Sequence, residues 1–197
     1  MDFNEIVFKY DRVTFSYSHK GWAMQKLKLI SLGAVASLTA AIANAQPPAG
    51  APPPAPPRAR GPALDVSIEA AKIAQETCVA NGYKTTVTVV DSAGVPVVIL
   101  SGDGAAERTQ AVGLSKTSTT IKYKVPSGEI ADRVKTDTAL DAEVKADPKI
   151  GTARRGALPI KIGNEIIGAI SVSGAPGGDK DEVCAQAALD KVKSKLK

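Results

Sequence analysis

The sequence predicts an α+β domain, one mainly antiparallel sheet flanked by helices in the order α-ββ-αα-ββ-α. Two observations carry this. Two runs of β-branched and aliphatic residues are each broken by turn chemistry and resume, which is the pattern of a β-hairpin. Segments with apolar residues at helical spacing stand before, between and after them.

Asp65 or Ser67 is placed to cap the first helix, IEAAKIAQETCVANG, in which Ile68, Ala71, Ala74 or Gln75 and Cys78 recur at three- and four-residue spacing. Gly82 is its stop. Lys84 to Val90 is dense in Thr and Val, Asp91 to Gly94 reads DSAG, and VPVVIL follows from Val95, which together predict the first hairpin. Pro96 cannot donate to a ladder, so it belongs on an edge or at a strand start. GDGA at 102–105 opens a Thr-rich helical segment, AERTQAVGLSKTSTTIKYKV, with Gly113 as an interruption. Pro126 ends it, and Ser127 is the expected cap of a short helix with Ile130 and Val134 on one face. Residues 138–155 read as polar and irregular. Leu158, Ile160 and Ile162 then alternate with other residues, Gly163-Asn164 forms a two-residue turn, and EIIGAISVS returns as the second hairpin. A last helix from Asp179 is expected to bury Val183, Ala187, Val192 and Leu196.

The N-terminal third has another character. Residues 24–45 run from Lys26 and Lys28 through an apolar stretch, Leu29 to Ile42, to Ala43-Asn44-Ala45, the order of a signal peptide. Cleavage is expected after Ala45. The apolar run is too short and too rich in Ala, Ser and Thr for a membrane span. Residues 1–23 are polar and aromatic and are read as lying upstream of the true start at Met24; a long n-region is the alternative. Residues 46–62, QPPAGAPPPAPPRARGP, hold eight of the 13 prolines and form a semi-rigid spacer ahead of a single domain over 63–197. The expected location is periplasmic or secreted.

Composition excludes several chemistries for the chain beyond Ala45. From Gln46 onward it has no His, Met, Trp or Phe, so a His-based triad, a His-ligated zinc site and a His or Met haem ligand are ruled out there. Its 20 Lys and Arg against 17 Asp and Glu make it mildly basic. No cluster of cations interleaved with aromatics marks a nucleic-acid surface.

The text GDGAAERT, the spaced SK-x-x-T-x-x-x-Y-K-V-P-S and LPIKIGNEIIGAISVSGAPGGDKDEVCAQAAL resemble the GlcG/HbpS-like family of haem-binding and haem-degradation-associated proteins over residues 64–196. The resemblance implies a five-stranded antiparallel sheet flanked by helices, assembly as a homo-oligomer, and haem or a related tetrapyrrole as ligand. It also implies a His where this chain has Arg108 and an aromatic where it has Ser118. The matched positions are Lys116, Thr119 and Tyr123. With Arg108 these form the candidate haem-contacting set: cations for the propionates, and Tyr123 as one of two phenols able to ligate Fe(III). In a helix, Arg108 and Lys116 lie two turns apart on roughly one face, as do Lys116, Thr119 and Tyr123. The plainer reading makes the cations a solvated face and Tyr123 a packing residue.

Other features divide similarly. The SGAPGGDK loop is a structural turn or an anion cradle at a helix start. Asp91, Asp103, Glu107 and Glu129 stand at turns and helix starts, where carboxylates cap amides. Cys78 near the end of the first helix and Cys184 near the start of the last meet in a disulfide if those helices pack antiparallel. Three functions remain: an exported haem-binding oligomer, an oligomeric interaction module without its ligand contacts, and an enzyme acting on haem or on a small carboxylate held by Arg108 and Lys116.

Overall fold

The computed structural model describes residues 59–197; the segments expected to be upstream sequence (1–23), signal peptide (24–45) and, up to residue 58, spacer (46–62) lie outside the described residues. Five helices, α1 (Leu64–Ala80), α2 (Arg108–Tyr123), α3 (Ser127–Arg133), α4 (Thr138–Ala146) and α5 (Gly178–Val192), accompany four strands, β1 (Thr86–Asp91), β2 (Pro96–Ser101), β3 (Ala157–Ile162) and β4 (Glu165–Ser173). A 3-10 turn, Lys193–Lys195, follows α5. All pairings are antiparallel, in the order β2-β1-β4-β3. The expected five-stranded sheet is thus a four-stranded one among the described residues. Between α2 and β3 the apolar residues fold into α3, α4 and a loop around their own small cluster, which leaves no extended segment to add.

Strand alternation sends the two faces of the sheet to different partners. Val87, Val89, Ile170, Val172, Leu158 and Ile160 join Ala70, Ala71 and Ala74 of α1 and Ala185, Ala188 and Val192 of α5 in the main core. The other face, with Thr86, Thr88 and Ser171, is covered by α2, and these hydroxyl residues are fully buried. Gly113 makes that approach possible: a Cβ there would lie 2.7 Å from Thr88 Oγ1, and Ser171 Oγ donates to the Gly113 carbonyl at 2.9 Å. The expected interruption is therefore a contact point in an unbroken helix.

Several local expectations change. The first helix starts at Leu64 with Ala63 as its N-cap and no side-chain cap; Ser67 instead donates back to the Ala63 carbonyl at 2.9 Å. Ile68 is exposed, and the buried stripe begins at Val66 and Ser67. Pro126, not Ser127, is the N-cap of α3, because Ser127 Oγ accepts the Ala157 amide of β3. The stretch read as irregular contains α4, whose cap Asp137 accepts from the Leu140 amide and whose Leu140 and Val144 join Ile130 and Ile150 in a second cluster. In α5, Val183 is 63 % exposed, and the buried face is Asp181, Cys184, Ala185, Ala188 and Val192.

Both hairpins form where expected. Pro96 begins edge strand β2, opposite a bulge at Val89/Val90, and Asp91 Oδ1 closes the turn by accepting the Ala93 and Val95 amides. Helices α1 and α5 run antiparallel. Cys78, near the end of α1, is joined to Cys184, near the start of α5, with Cα atoms 5.6 Å apart, while Lys195 after α5 pairs with Glu69 in the first turns of α1 at 2.7 Å. The last spacer residues belong to the fold: Pro62 is buried, and the Arg60 carbonyl accepts the Ser92 amide at 2.9 Å.

Candidate functional site

A cavity of about 710 Å³ opens at the end of the sheet where β1 begins and β4 ends. Four chain segments build it. Lys84 precedes β1, Arg108 opens α2, Arg154 and Arg155 lead into β3, and the loop after β4 carries Gly174 and Ala175 to the start of α5. Ala106, Val112 and Ala175 supply its apolar wall.

The cavity floor is a buried ion pair. Lys116 Nζ donates to Asp181 Oδ2 at 2.7 Å and to the Val172 carbonyl at 2.8 Å, while Asp181 Oδ1 accepts the Ala175 amide at 2.9 Å. The side chains are 3 % and 5 % exposed. Burial pushes the Lys116 amine down against the pull of Asp181, with the Arg154 charge adding to it, and burial pushes the Asp181 carboxyl up against the pull of Lys116. Geometry decides the state: one short bond between the two charges and one backbone partner for each hold the pair ionised. Gly156, at φ +124°, leaves room for it, since a Cβ there would sit 2.7 Å from Lys116 Nζ.

The cations of the rim differ in their engagement. Arg155 is fixed between Asp132 of α3 and Glu182 of α5, the latter at 3.0 Å, and both partners hold its guanidinium charged. Lys84, Arg108 and Arg154 have no carboxylate partner among the described residues, and Arg154 reaches only the Thr152 carbonyl, at 3.3 Å. The cavity thus holds an excess of positive charge over a neutralised floor, the arrangement that draws anions.

Of the residues selected from the sequence, Arg108 and Lys116 meet in this cavity, with Lys116 already committed to Asp181. Thr119, within α2, is fully buried and donates to the Ser115 carbonyl one turn back at 2.9 Å. Tyr123 ends α2, about 22 Å along the helix axis from Arg108. There its hydroxyl donates to Glu143 at 3.0 Å and its ring packs on the second cluster. Burial and the neighbouring Glu143 push the Tyr123 phenol up, away from the phenolate that Fe(III) prefers. Lys84, Arg154 and Arg155 escaped the sequence reading. The one signal for the last two is a tandem Arg held between Gly151 and Gly156, in a stretch without periodicity.

Among the described residues no group of three or more His, Cys, Asp or Glu is arranged to hold a metal ion, and no helix is long and apolar enough to cross a membrane.

A helix-flanked antiparallel sheet with a basic cleft at one end defines an α+β domain of anion-attracting type. The chain belongs to the HbpS-like family, described as haem degrading protein HbpS-like, whose model matches residues 63–190. It is similar to HbpS of Streptomyces reticuli, crystallised as a double mutant, at 28 % identity, with 75 % of this chain and 98 % of that one covered and a TM-score of 0.63. It is similar in fold to Klebsiella pneumoniae protein ORFY (22 % identity, 71 % and 96 % covered, TM-score 0.64) and to PduOC, solved as a haem complex (18 % identity, 66 % and 94 % covered, TM-score 0.58). No curated protein matches the chain.

Proposed function

We propose that this chain is an exported, periplasmic or secreted protein that binds haem or a related tetrapyrrole non-covalently, as a homo-oligomer. Membership of a haem-related family supports the ligand class. The observation that carries the reading is the cleft with Lys84, Arg108 and Arg154 unpaired at its rim, which suits propionate carboxylates. The fit is to the anionic edge of the ligand. No His, Met or free Cys is present from residue 59 onward, and both tyrosines lie outside the cleft lining. Arg108, Arg154 and Lys84 would hold the propionates, with Ala106 and Val112 as the apolar contact. Bound haem would supply its own redox and oxygen chemistry; the residues here orient the ligand.

A second reading, an oligomeric interaction module, is favoured by the engagement of Lys116 with Asp181 and of Tyr123 with Glu143. Haemin titration separates the two. Protein expressed from the full chain, its N-terminus read by mass spectrometry to fix start and cleavage, should give a saturable Soret shift. Arg108→Ala should weaken binding by about five- to tenfold, and Tyr123→Phe should leave it unchanged. A linear response equal in all three proteins would leave the interaction module.

A further inference from the structure

The cleft is better matched to a small ligand than to the body of a macrocycle. Its apolar wall is three short side chains, Ala106, Val112 and Ala175, with glycine backbone between them, and no aromatic side chain lines it. A macrocycle buried edge to edge calls for a broad apolar slot. Cations without partners call instead for anionic oxygen.

The geometry points to a site for a free small polycarboxylate, a di- or tricarboxylic acid anion, held in the cleft by Lys84, Arg108 and Arg154. This inference rests on the reading of the same cleft as a carboxylate site; the propionate arms of a tetrapyrrole and a free acid are two sources of one chemistry. Three arguments give the number and kind of charges. The three cations come from three separate segments around about 710 Å³, so they meet an anion whose charge is spread over several groups better than one compact centre. The floor adds no net attraction, because Lys116 and Asp181 neutralise one another at 2.7 Å, and Arg155 is held by Asp132 and Glu182. Two guanidinium groups offer planar pairs of donors that match carboxylates bidentately, while Lys84 supplies a point charge. The three cations line one cleft, and each carboxylate bound offsets part of their like charge.

Calorimetric titration of the full protein with citrate, with inorganic phosphate and with haemin tests this. Citrate should bind at one site per chain, more weakly as salt rises. Arg154→Ala and Lys84→Ala should each weaken it by about fivefold or more, and both residues are exposed and free of ion pairs, so the fold should survive. Lys72→Ala, on the exposed face of α1, should change nothing. Citrate should also raise the haemin concentration needed for half-saturation. Haemin binding with no citrate binding at millimolar concentration would overturn the inference and leave haem carriage standing. Citrate binding without haemin binding would uphold it and remove haem carriage. Phosphate binding as tight as citrate, or citrate binding insensitive to both substitutions, would overturn the carboxylate assignment.

Discussion

Lys116 shows how helical spacing can set a residue at a cleft without disclosing the partner it meets there. Helical spacing set it on the face of Arg108, and the structure brings both to one cleft. Its Nζ, however, is spent on Asp181, 65 positions away in sequence, and no local pattern announces that partner. Removing one member of such a pair strands a buried charge, which costs about 3–5 kcal/mol. Asp181→Asn and Lys116→Met should each lower the urea midpoint accordingly, and the double variant Lys116→Met/Asp181→Leu should recover much of the loss in a double-mutant cycle. Gly156→Ala should be destabilising for the same reason, since its φ of +124° and the 2.7 Å approach to Nζ leave no room for a methyl group. Arg154 and Arg155 stayed hidden because they stand in a loop with no periodicity, and a loop's direction is set only by the elements it joins.

At the scale of elements, the hairpins were legible because alternation, turn residues and a proline at the strand start all agree. Helix α4 was not, although its signals exist: Asp137 caps it, and Leu140 and Val144 stand four residues apart. Nine residues hold too few turns for a stripe to stand out, and the helix is stabilised by packing on the second cluster rather than by its own propensity. Ile130→Ala, at a fully buried position of that cluster, should therefore cost about 2–5 kcal/mol in chemical denaturation. The ends of α2 and α4 are also clamped by charge. Lys122 lies 3.1 Å from Glu143 and 2.9 Å from Asp147, and its hydrogen bonds hold both carboxyls below their ordinary range. A carboxylate with a lowered folded value stabilises the fold above its unfolded value, because the unfolded chain takes up the proton first. This contribution should be complete above about pH 5 and fade as pH falls through the lowered values. Melting temperatures measured across that range should show a shallower acid decline in Lys122→Met, and salt should reduce the difference.

For the whole molecule, the disulfide is the longest covalent constraint, closing a separation of 106 residues between α1 and α5. Both cysteines are buried, at 0 % and 1 % exposure. Dithiothreitol should therefore leave them unlabelled by iodoacetamide until denaturant opens the α1–α5 layer. Cys78→Ala/Cys184→Ala should lose up to about 4–5 kcal/mol of stability, the chain-entropy value for such a loop. Its tie at the start of α5 lies one turn from Asp181, so the double variant should also bind ligand less tightly at the cleft.

The described chain begins and ends at the same pole. Arg60 is docked on Ser92 at the far end of β1, and Lys195 is docked on Glu69 near the start of α1, while the basic cleft opens at the near end of β1, about 20 Å along the strand. A tag or a sensor surface joined at residue 59 or at Lys197 would therefore hold the described domain at the pole opposite the cleft. Protein immobilised through residue 59 or through Lys197 should titrate with ligand like protein free in solution, whereas coupling through a cysteine placed at Ala106 should silence it.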